Sequence, residues 1–195
     1  MSTILSISIE RSIKLYISRG NLVGQIVTTE MTELVSPSMA NFSGKMHGGE
    51  LLKLLDKVAY TCAMRYSDHY AVTLSVDNVM FKEPIFIGEL ITFLATINYT
   101  GRSSMEIGIK VVAENIQQKT VRHTHTCYFT MVAMDEHGKP TEVPKLELKD
   151  EQQIRRYNKA LKRREARHRL HETMKAIERD DNTDGLDDLP LVSCP

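Results

Sequence analysis

One acidic side chain occupies a position on a predicted helix where it could act in chemistry. From residue 49 onward, apolar residues recur with the i, i+3, i+4, i+7 spacing of an amphipathic helix. Asp56 lies about two turns inside this helix, roughly 100° from the centre of its apolar face. A carboxylate at the edge of a buried face is partly desolvated, which makes it a better general base. A solvent-facing aspartate paired with Lys53 fits the same periodicity, so the spacing alone leaves both interpretations open.

Two adjacent glycines, Gly48 and Gly49, stand at the start of the same helix. Glycine lets another group approach the backbone closely, and the first N–H groups of a helix have no partner within it. These donors and the positive end of the helix dipole favour an incoming negative oxygen. The pair therefore suits an oxyanion hole for a carbonyl under attack, and it equally suits a tight entry of the chain beneath a sheet.

The elements that would position these residues follow a strand, helix and meander order. One strand pattern precedes the helix, and four long strand patterns follow it. The helix is apolar over about half of its circumference, which predicts burial against a sheet. One helix lying along a long, curled antiparallel sheet is the hot-dog arrangement, of the α+β class. The predicted strands span residues 23–35, 72–81, 90–99, 105–113 and 120–134.

The two ends of the chain differ in composition from the segment between them. Residues 1–21 are rich in serine and basic residues, as transit peptides are, but their isoleucines recur with a period of two that suits an added strand better. We interpret them as an N-terminal extension of a domain that spans residues 22–148. Residues 149–179 predict a basic helix, and the Asp-rich residues 180–195 predict a disordered acidic tail.

Composition and scattered polar residues limit the remaining possibilities. Lys and Arg number 25, as do Asp and Glu, so the net charge gives no indication of nucleic-acid binding. Cys62, Cys127 and Cys194 are far apart, which predicts reduced thiols in a cytoplasmic protein. No apolar run approaches the roughly 20 residues of a membrane span.

His123 and His125 share one face of a strand, but without an evident third ligand we interpret them as packing residues and expect no metal.

Several short motifs, taken together in their order, carry a family resemblance. They are MTELV at 31–35, AN at 40–41, HGGELL at 47–52, LD at 55–56, SVD at 75–77, YTGRSSME at 99–106 and VAMDEHGKP at 132–140. Over about residues 23–160, this series resembles the acyl-CoA thioesterase family of hot-dog proteins.

The resemblance implies an active site shared between two subunits. Members of the family work as hot-dog dimers, often with three dimers in a hexamer. Asp56 would act as general base or nucleophile toward the thioester, and Asn41 from the other subunit would orient the attacking water or the substrate carbonyl. The backbone N–H near Gly49 would face the oxyanion. His47 stands where many relatives have an aromatic residue, so both packing and a catalytic role stay open for it.

Basic side chains are expected near the phosphates of CoA. Arg102, with Ser103 and Ser104 in a predicted turn, is the local candidate, although a plain hairpin turn explains the same residues. The basic helix at 149–179 would add electrostatic steering. Nucleic-acid binding is not expected, because the aromatic interleaving of a single-strand platform is missing.

The sequence and the resemblance together predict a cytoplasmic, homo-oligomeric thioester hydrolase of fatty acid metabolism, which converts acyl-CoA to free fatty acid and CoA. A thioester has a good leaving group, so one base, one water and one oxyanion site suffice. No cofactor is expected beyond the CoA of substrate and product, and no Gly-x-Ser-x-Gly elbow is present. The alternatives are a non-catalytic acyl-CoA-binding hot-dog protein and an enoyl-CoA hydratase-type hot-dog enzyme, which generally uses an Asp/His pair.

Overall fold

A five-stranded antiparallel sheet with one long helix packed on it makes up the first unit of the chain. The computed structural model describes residues 26–77, 79–81 and 83–180, with side chains as far as 177. The predicted extension at 1–21 lies outside the described residues, as does the predicted tail apart from Asp180. The elements are β1 (Thr28–Leu34), α1 (Gly48–Ser67), β2 (Tyr70–Val76), β3 (Leu90–Thr100), β4 (Ser104–Asn115) and β5 (Thr120–Met134).

The strands lie in the order β1-β3-β4-β5-β2, and every neighbouring pair is antiparallel. The meander of β3, β4 and β5 matches the prediction closely. The prediction for β2 was wrong at its end, because the strand stops at Val76 and not at residue 81. After one further backbone bond, from Asp77 N to Tyr128 O at 2.9 Å, the chain leaves the sheet. Phe81 lines a cavity instead of continuing the strand.

The core lies between α1 and one face of the central strands. Along most of β3 and the second half of β5, buried residues alternate as the period-two pattern requires, whereas residues 105–109 of β4 are all buried. Because the buried positions of α1 recur at spacings of three and four residues, only one face of the helix can lie on the sheet. From the helix, the buried apolar residues are Leu51, Leu54, Leu55, Val58, Ala59, Cys62, Ala63 and Tyr66.

Two free cysteines lie in this core. Cys62 on α1 and Cys127 on β5 are both fully buried. Burial raises the pKa of each thiol to about 12, so neither side chain is a thiolate near neutral pH. Both therefore act as small apolar residues rather than as nucleophiles, which agrees with the prediction of reduced thiols. Cys194 lies outside the described residues.

The second unit of the chain begins at Glu147 and contains α2 (Glu151–Asp180). Two side chains cap its start. Asp150 Oδ1 accepts a hydrogen bond from Gln153 N at 2.7 Å, and Gln153 Oε1 accepts one from Lys149 N at 2.7 Å. This reciprocal arrangement satisfies N–H groups that a helix start leaves unpaired. Across the described residues, no helix combines the length and the apolar character needed to cross a membrane.

Leu55 should contribute far more to stability than its neighbour Leu52. Leu55 is 0% exposed and Leu52 is 39% exposed on the same helix. Leu55→Ala is expected to lower the free energy of unfolding by about 2–5 kcal/mol, since it removes buried apolar atoms and leaves a cavity. Leu52→Ala is expected to cost less than about 1 kcal/mol. Denaturant titration of both variants measures the difference, and equal losses would contradict the assigned helix face.

Candidate active site

Asn41 organises the loop that leads into α1. Its Oδ1 accepts hydrogen bonds from Ser43 N at 3.0 Å, Ser43 Oγ at 2.8 Å and Lys45 N at 3.2 Å. Because backbone N–H groups can only donate, these contacts fix which end of the amide is the oxygen. The Nδ2 group makes no hydrogen bond to the described residues, and the side chain is exposed. Asn41 therefore offers a hydrogen-bond donor to a ligand, while its oxygen maintains the loop.

His47 caps the start of α1 and occupies one of the two predicted oxyanion donors. Its Nδ1 accepts a hydrogen bond from Gly49 N at 3.0 Å. A Cβ atom at Gly49 would lie 3.2 Å from that ring nitrogen, so a larger residue there would require the His47 ring to shift by a few tenths of an ångström. Gly48 N–H has no partner among the described residues, so it is the available donor of the pair. The Gly49 N–H is thus engaged as the helix cap in the single chain, and its role toward an oxyanion stays a prediction.

Asp56 is held by a residue that the sequence did not single out. Thr73 Oγ1 on β2 donates a hydrogen bond to Asp56 Oδ1 at 2.6 Å. Lys53 forms its ion pair with Glu50 at 3.6 Å, so the predicted alternative of an Asp56–Lys53 pair is not observed. The Asp56 side chain is exposed, which means that a single chain does not provide the partial desolvation expected for it.

A cavity of about 300 Å³ opens beside the start of α1. Asn41 and Gly48 line it, together with the apolar side chains of Leu51 and Phe81. Asp56 does not line it, because it lies eight residues beyond Gly48, about 12 Å further along the helix axis. One chain therefore brings Asn41 and Gly48 together and leaves Asp56 with Thr73 at a separate position.

A β-bulge in β5 determines what faces this cavity. Val111 pairs with His125, but Val112 pairs with His123, so Thr124 is the additional residue. His125 consequently faces the core side and lines the cavity, and Thr124 donates its hydroxyl to Val111 O at 3.2 Å. From the sequence, we interpreted His123 and His125 as packing residues. For His125 that interpretation was incomplete, since a pattern of alternating residues does not reveal the cavity.

The Glu89–Arg122 ion pair holds the loop that forms one cavity wall. Arg122 Nη1 and Nη2 lie 2.6 and 2.8 Å from the two Glu89 carboxylate oxygens, and Nη2 also donates to Pro84 O at 2.6 Å. Phe86 N donates to Glu89 Oε2 at 2.8 Å. The Arg122 guanidinium, against the opposing effect of burial, holds the pKa of Glu89 below its usual value. Pro84 and Ile85, which line the cavity, are thereby fixed in place.

Comparisons with known proteins identify the family that has this arrangement. The family described as "Thioesterase superfamily" matches residues 43–120. An apo-hexameric acyl-CoA thioesterase is 35% identical and superposes with a TM-score of 0.71, covering 74% of this chain and 92% of that chain. The chain belongs to the acyl-CoA thioesterase family. The VdlD protein of Helicobacter pylori is a further relative, 60% identical over 139 residues, which are 71% of this chain and 79% of that protein.

Another member of the acyl-CoA thioesterase family has been solved with ligands and as variants. The acyl-CoA hydrolase of Staphylococcus aureus, in complex with butyryl-CoA and CoA, is 31% identical, with a TM-score of 0.71 over 78% of this chain and 93% of that one. Its three single alanine variants replace an asparagine, an aspartate 15 positions further on, and a threonine 17 positions beyond the aspartate.

The hairpin with Arg102, Ser103 and Ser104 lies at the Asp56 end of this acyl-CoA thioesterase fold. Ser104 pairs with Val132, which in turn pairs with Val72, the residue before Thr73. The backbone is fixed by bonds from Gly101 N to Ser104 O at 2.7 Å and from Val143 N to Arg102 O at 2.9 Å. The Arg102 side chain is exposed and forms no ion pair within the described part of the chain. It is therefore available to an anionic ligand near Asp56.

Metal ligation has no support from the site geometry. Among the described residues, no three His, Cys, Asp or Glu side chains are grouped so that they could hold a metal ion. His123 is engaged locally, with its Nε2 at 2.8 Å from both His125 O and Thr126 Oγ1.

Arg122→Met should destabilise the protein much more than a matched change on α2. The substitution leaves the buried Glu89 carboxylate without its partner and is expected to lower the free energy of unfolding by about 3 kcal/mol. Arg169→Met, which removes an exposed pair with Glu165, is expected to change it by less than about 0.5 kcal/mol. Chemical denaturation of the two variants tests this, and similar small effects would show that the Glu89 pair does not hold the loop.

Proposed function

We propose that this chain is a thioesterase that converts acyl-CoA and water to a free fatty acid and CoA. The observation that carries the proposal is the set of Asn41, Asp56 and Thr73. These residues have the same types, and the same spacings of 15 and 17 positions, as the three residues replaced in the Staphylococcus aureus hydrolase. The hydrogen bond from Thr73 to Asp56 gives the third member a physical connection to the second.

Asp56 acts as the general base in this proposal. Thr73 occupies Oδ1, which orients the carboxylate and leaves Oδ2 to accept a proton from water. The water oxygen then bonds to the thioester carbon, and the tetrahedral intermediate expels the CoA sulfur. The sulfur takes up the proton, so that the acid and the CoA thiol are the products. Direct attack by Asp56 is the alternative route to the same products.

Asn41 and Gly48 stabilise the oxyanion in the same proposal. Both line the cavity, and each has a donor, Nδ2 or the backbone N–H, without a partner among the described residues. Fixed donors near a developing negative oxygen lower the barrier because they need no reorganisation during the reaction. The N–H of Gly49 would contribute only if the His47 ring turned away from it.

The complete site requires two subunits. Asp56 and Asn41 are separated within one chain, and Asp56 is exposed there, so the base of one protomer would meet the donors of another. The edge strand β2 supports self-association, because Tyr70, Leu74 and Val76 are exposed apolar residues beside a strand edge that pairs with no further strand of the described residues. The proposed assembly is a dimer, or a hexamer of three dimers, and the hexameric state of a relative supports the latter.

CoA would lie along the Asp56 end of the sheet. The exposed Arg102, with Ser103 and Ser104 beside it, offers a cation and hydroxyl donors to the CoA phosphates. Their position two strands away from Thr73 places them at the same end of the sheet as the base.

One observation favours a second candidate, a non-catalytic acyl-CoA-binding protein. Asp56 is exposed in the single chain, and a solvated carboxylate is a poor candidate for activated-base chemistry. The two candidates differ in turnover, because a binding protein would retain acyl-CoA without releasing the CoA thiol.

Substitutions at the three proposed residues should reduce hydrolysis without unfolding the protein. Asp56→Asn is expected to lower kcat/KM by about 10²–10⁴ through loss of the base, and Asn41→Ala by about 10²–10³ through loss of an oxyanion donor. Thr73→Val should cost about tenfold, and Thr73→Ser should recover most of that loss. Release of the CoA thiol from a series of acyl chain lengths measures these effects.

Asp68→Asn is the matched control for Asp56, because it changes another exposed carboxylate next to α1 at a left-handed position that asparagine tolerates. It should retain wild-type turnover. Unchanged turnover in Asp56→Asn would overturn the mechanism, and tight binding without any turnover in the wild type would establish the binding protein instead.

Mixing two inactive variants should restore activity if the site is shared. In a heterodimer of Asp56→Asn and Asn41→Ala, one site has both changes and the other has both native residues. After equimolar refolding or exchange, about a quarter of wild-type activity is expected, since half of the dimers are mixed and each has one native site. Activity no higher than that of the separate variants, despite demonstrated exchange, would place both residues in one subunit's site.

A further inference from the structure

His125 is buried in the cavity wall, and its two ring nitrogens are polar groups without a partner in the described part of the chain. The residue is 3% exposed, and neither Nδ1 nor Nε2 has a hydrogen-bond partner among the described residues. Its ring contacts Phe81 edge-on, with 5.6 Å between the ring centroids. Buried polar groups are nearly always hydrogen-bonded, and a leucine or phenylalanine would fill this space without the desolvation cost. Packing alone therefore does not account for a histidine at this position.

The acyl part of the substrate is the component that suits this cavity. When Asn41 and Gly48 hold the thioester oxygen, one substituent of the carbonyl carbon extends into the cavity and the other points to solvent. A volume of about 300 Å³ is at the lower end of the range for ligand pockets, which excludes CoA and favours a short acyl group. The buried side chains of Leu51 and Ile85 give the cavity apolar walls.

His125 differs from the apolar residues that line the cavity, because its buried side chain is polar. Of the described residues that line the cavity, it is the one polar side chain that is buried, since Asn41, Lys45 and Glu83 are exposed. Burial, followed by the nearby His123, lowers the pKa of His125, and the charge of Glu83 opposes this only in part. A neutral imidazole has one donor and one acceptor nitrogen. A hydroxyl group, which can donate and accept, is the partner that matches both.

We propose that His125 determines acyl specificity by hydrogen-bonding a hydroxyl on a short acyl group, so that hydroxyacyl-CoA thioesters are preferred over unsubstituted ones of equal length. The proposal rests on the thioesterase function proposed above. A site that hydrogen-bonds a substrate hydroxyl rejects the analogue without it, because the site's own polar group is then left buried and unpaired. Butyryl-CoA and its 3-hydroxy and 4-hydroxy derivatives form the matched set of substrates.

The test compares His125→Leu and His125→Gln with wild type on these three substrates. The wild type is expected to have a kcat/KM at least about tenfold higher for one of the hydroxylated substrates than for butyryl-CoA. His125→Leu should abolish that preference by lowering kcat/KM at least about tenfold more for the hydroxylated substrate than for butyryl-CoA. His125→Gln, which retains a donor and an acceptor, should recover part of the preference. His123→Leu, an exposed change two residues away that does not line the cavity, should keep it.

A stability measurement separates specificity from structural support. Because no described residue bonds to the ring nitrogens, His125→Leu is expected to raise Tm by about 2–4 °C rather than lower it. A large loss of Tm, or equal losses of turnover on all three substrates, would overturn the specificity role. Turnover of butyryl-CoA equal to that of both hydroxylated substrates would also overturn it while leaving the thioesterase function intact. Absence of turnover on any acyl-CoA would refute the thioesterase function itself.

Discussion

The burial of one face of α1 against the sheet is the constraint on which the candidate site depends. Leu51, Leu55, Val58 and Cys62 can only be covered together in one rotation of the helix. That rotation sets Gly48 at the cavity and directs Asp56 toward Thr73 on the edge strand. The two proposed functional positions are therefore not independent features, since the packing of a single rigid element fixes both and the distance between them.

The loops around the cavity are held by oxygen atoms that accept hydrogen bonds, and these are not the groups proposed as donors to substrate. Asn41 uses its oxygen to close its own loop, and Glu89 uses its carboxylate to connect Arg122 with the backbone of Phe86. Such bonds restrict the loops to one conformation before any ligand arrives. Preorganised donors are effective because the energy of arranging them has been supplied by folding.

Much of the fold could be predicted from the sequence, because the patterns that specify it are local. Periodicity located α1 and β5 closely. The turn residues that follow Tyr99 and Met134 predicted where β3 and β5 end. The end of β2 could not be predicted, since Val79 and Phe81 alternate as strand residues do, while the loss of a partner strand depends on tertiary structure. Motif order indicated Asn41 and Asp56. Thr73 had no distinguishing signal, because a threonine in a strand is ordinary until its hydroxyl is seen 2.6 Å from a carboxylate. The capping of Gly49 N–H likewise depended on the rotamer of His47.

The bulge at Thr124 restricts which sequence changes β5 can accept during evolution. In a regular strand, residues three apart point to opposite faces, yet Arg122 and His125 pair with Ala113 and Val111, which share the core face. One extra residue thus places the loop-holding cation and the cavity imidazole on the same side. Loss of Thr124 alone would restore regular alternation and leave both of these side chains on the core face. A deletion elsewhere in β5 would instead exchange the inner and outer residues of the strand beyond it. Substitutions can therefore alter the cavity one residue at a time, but the length of this strand outside the bulge is not free to vary.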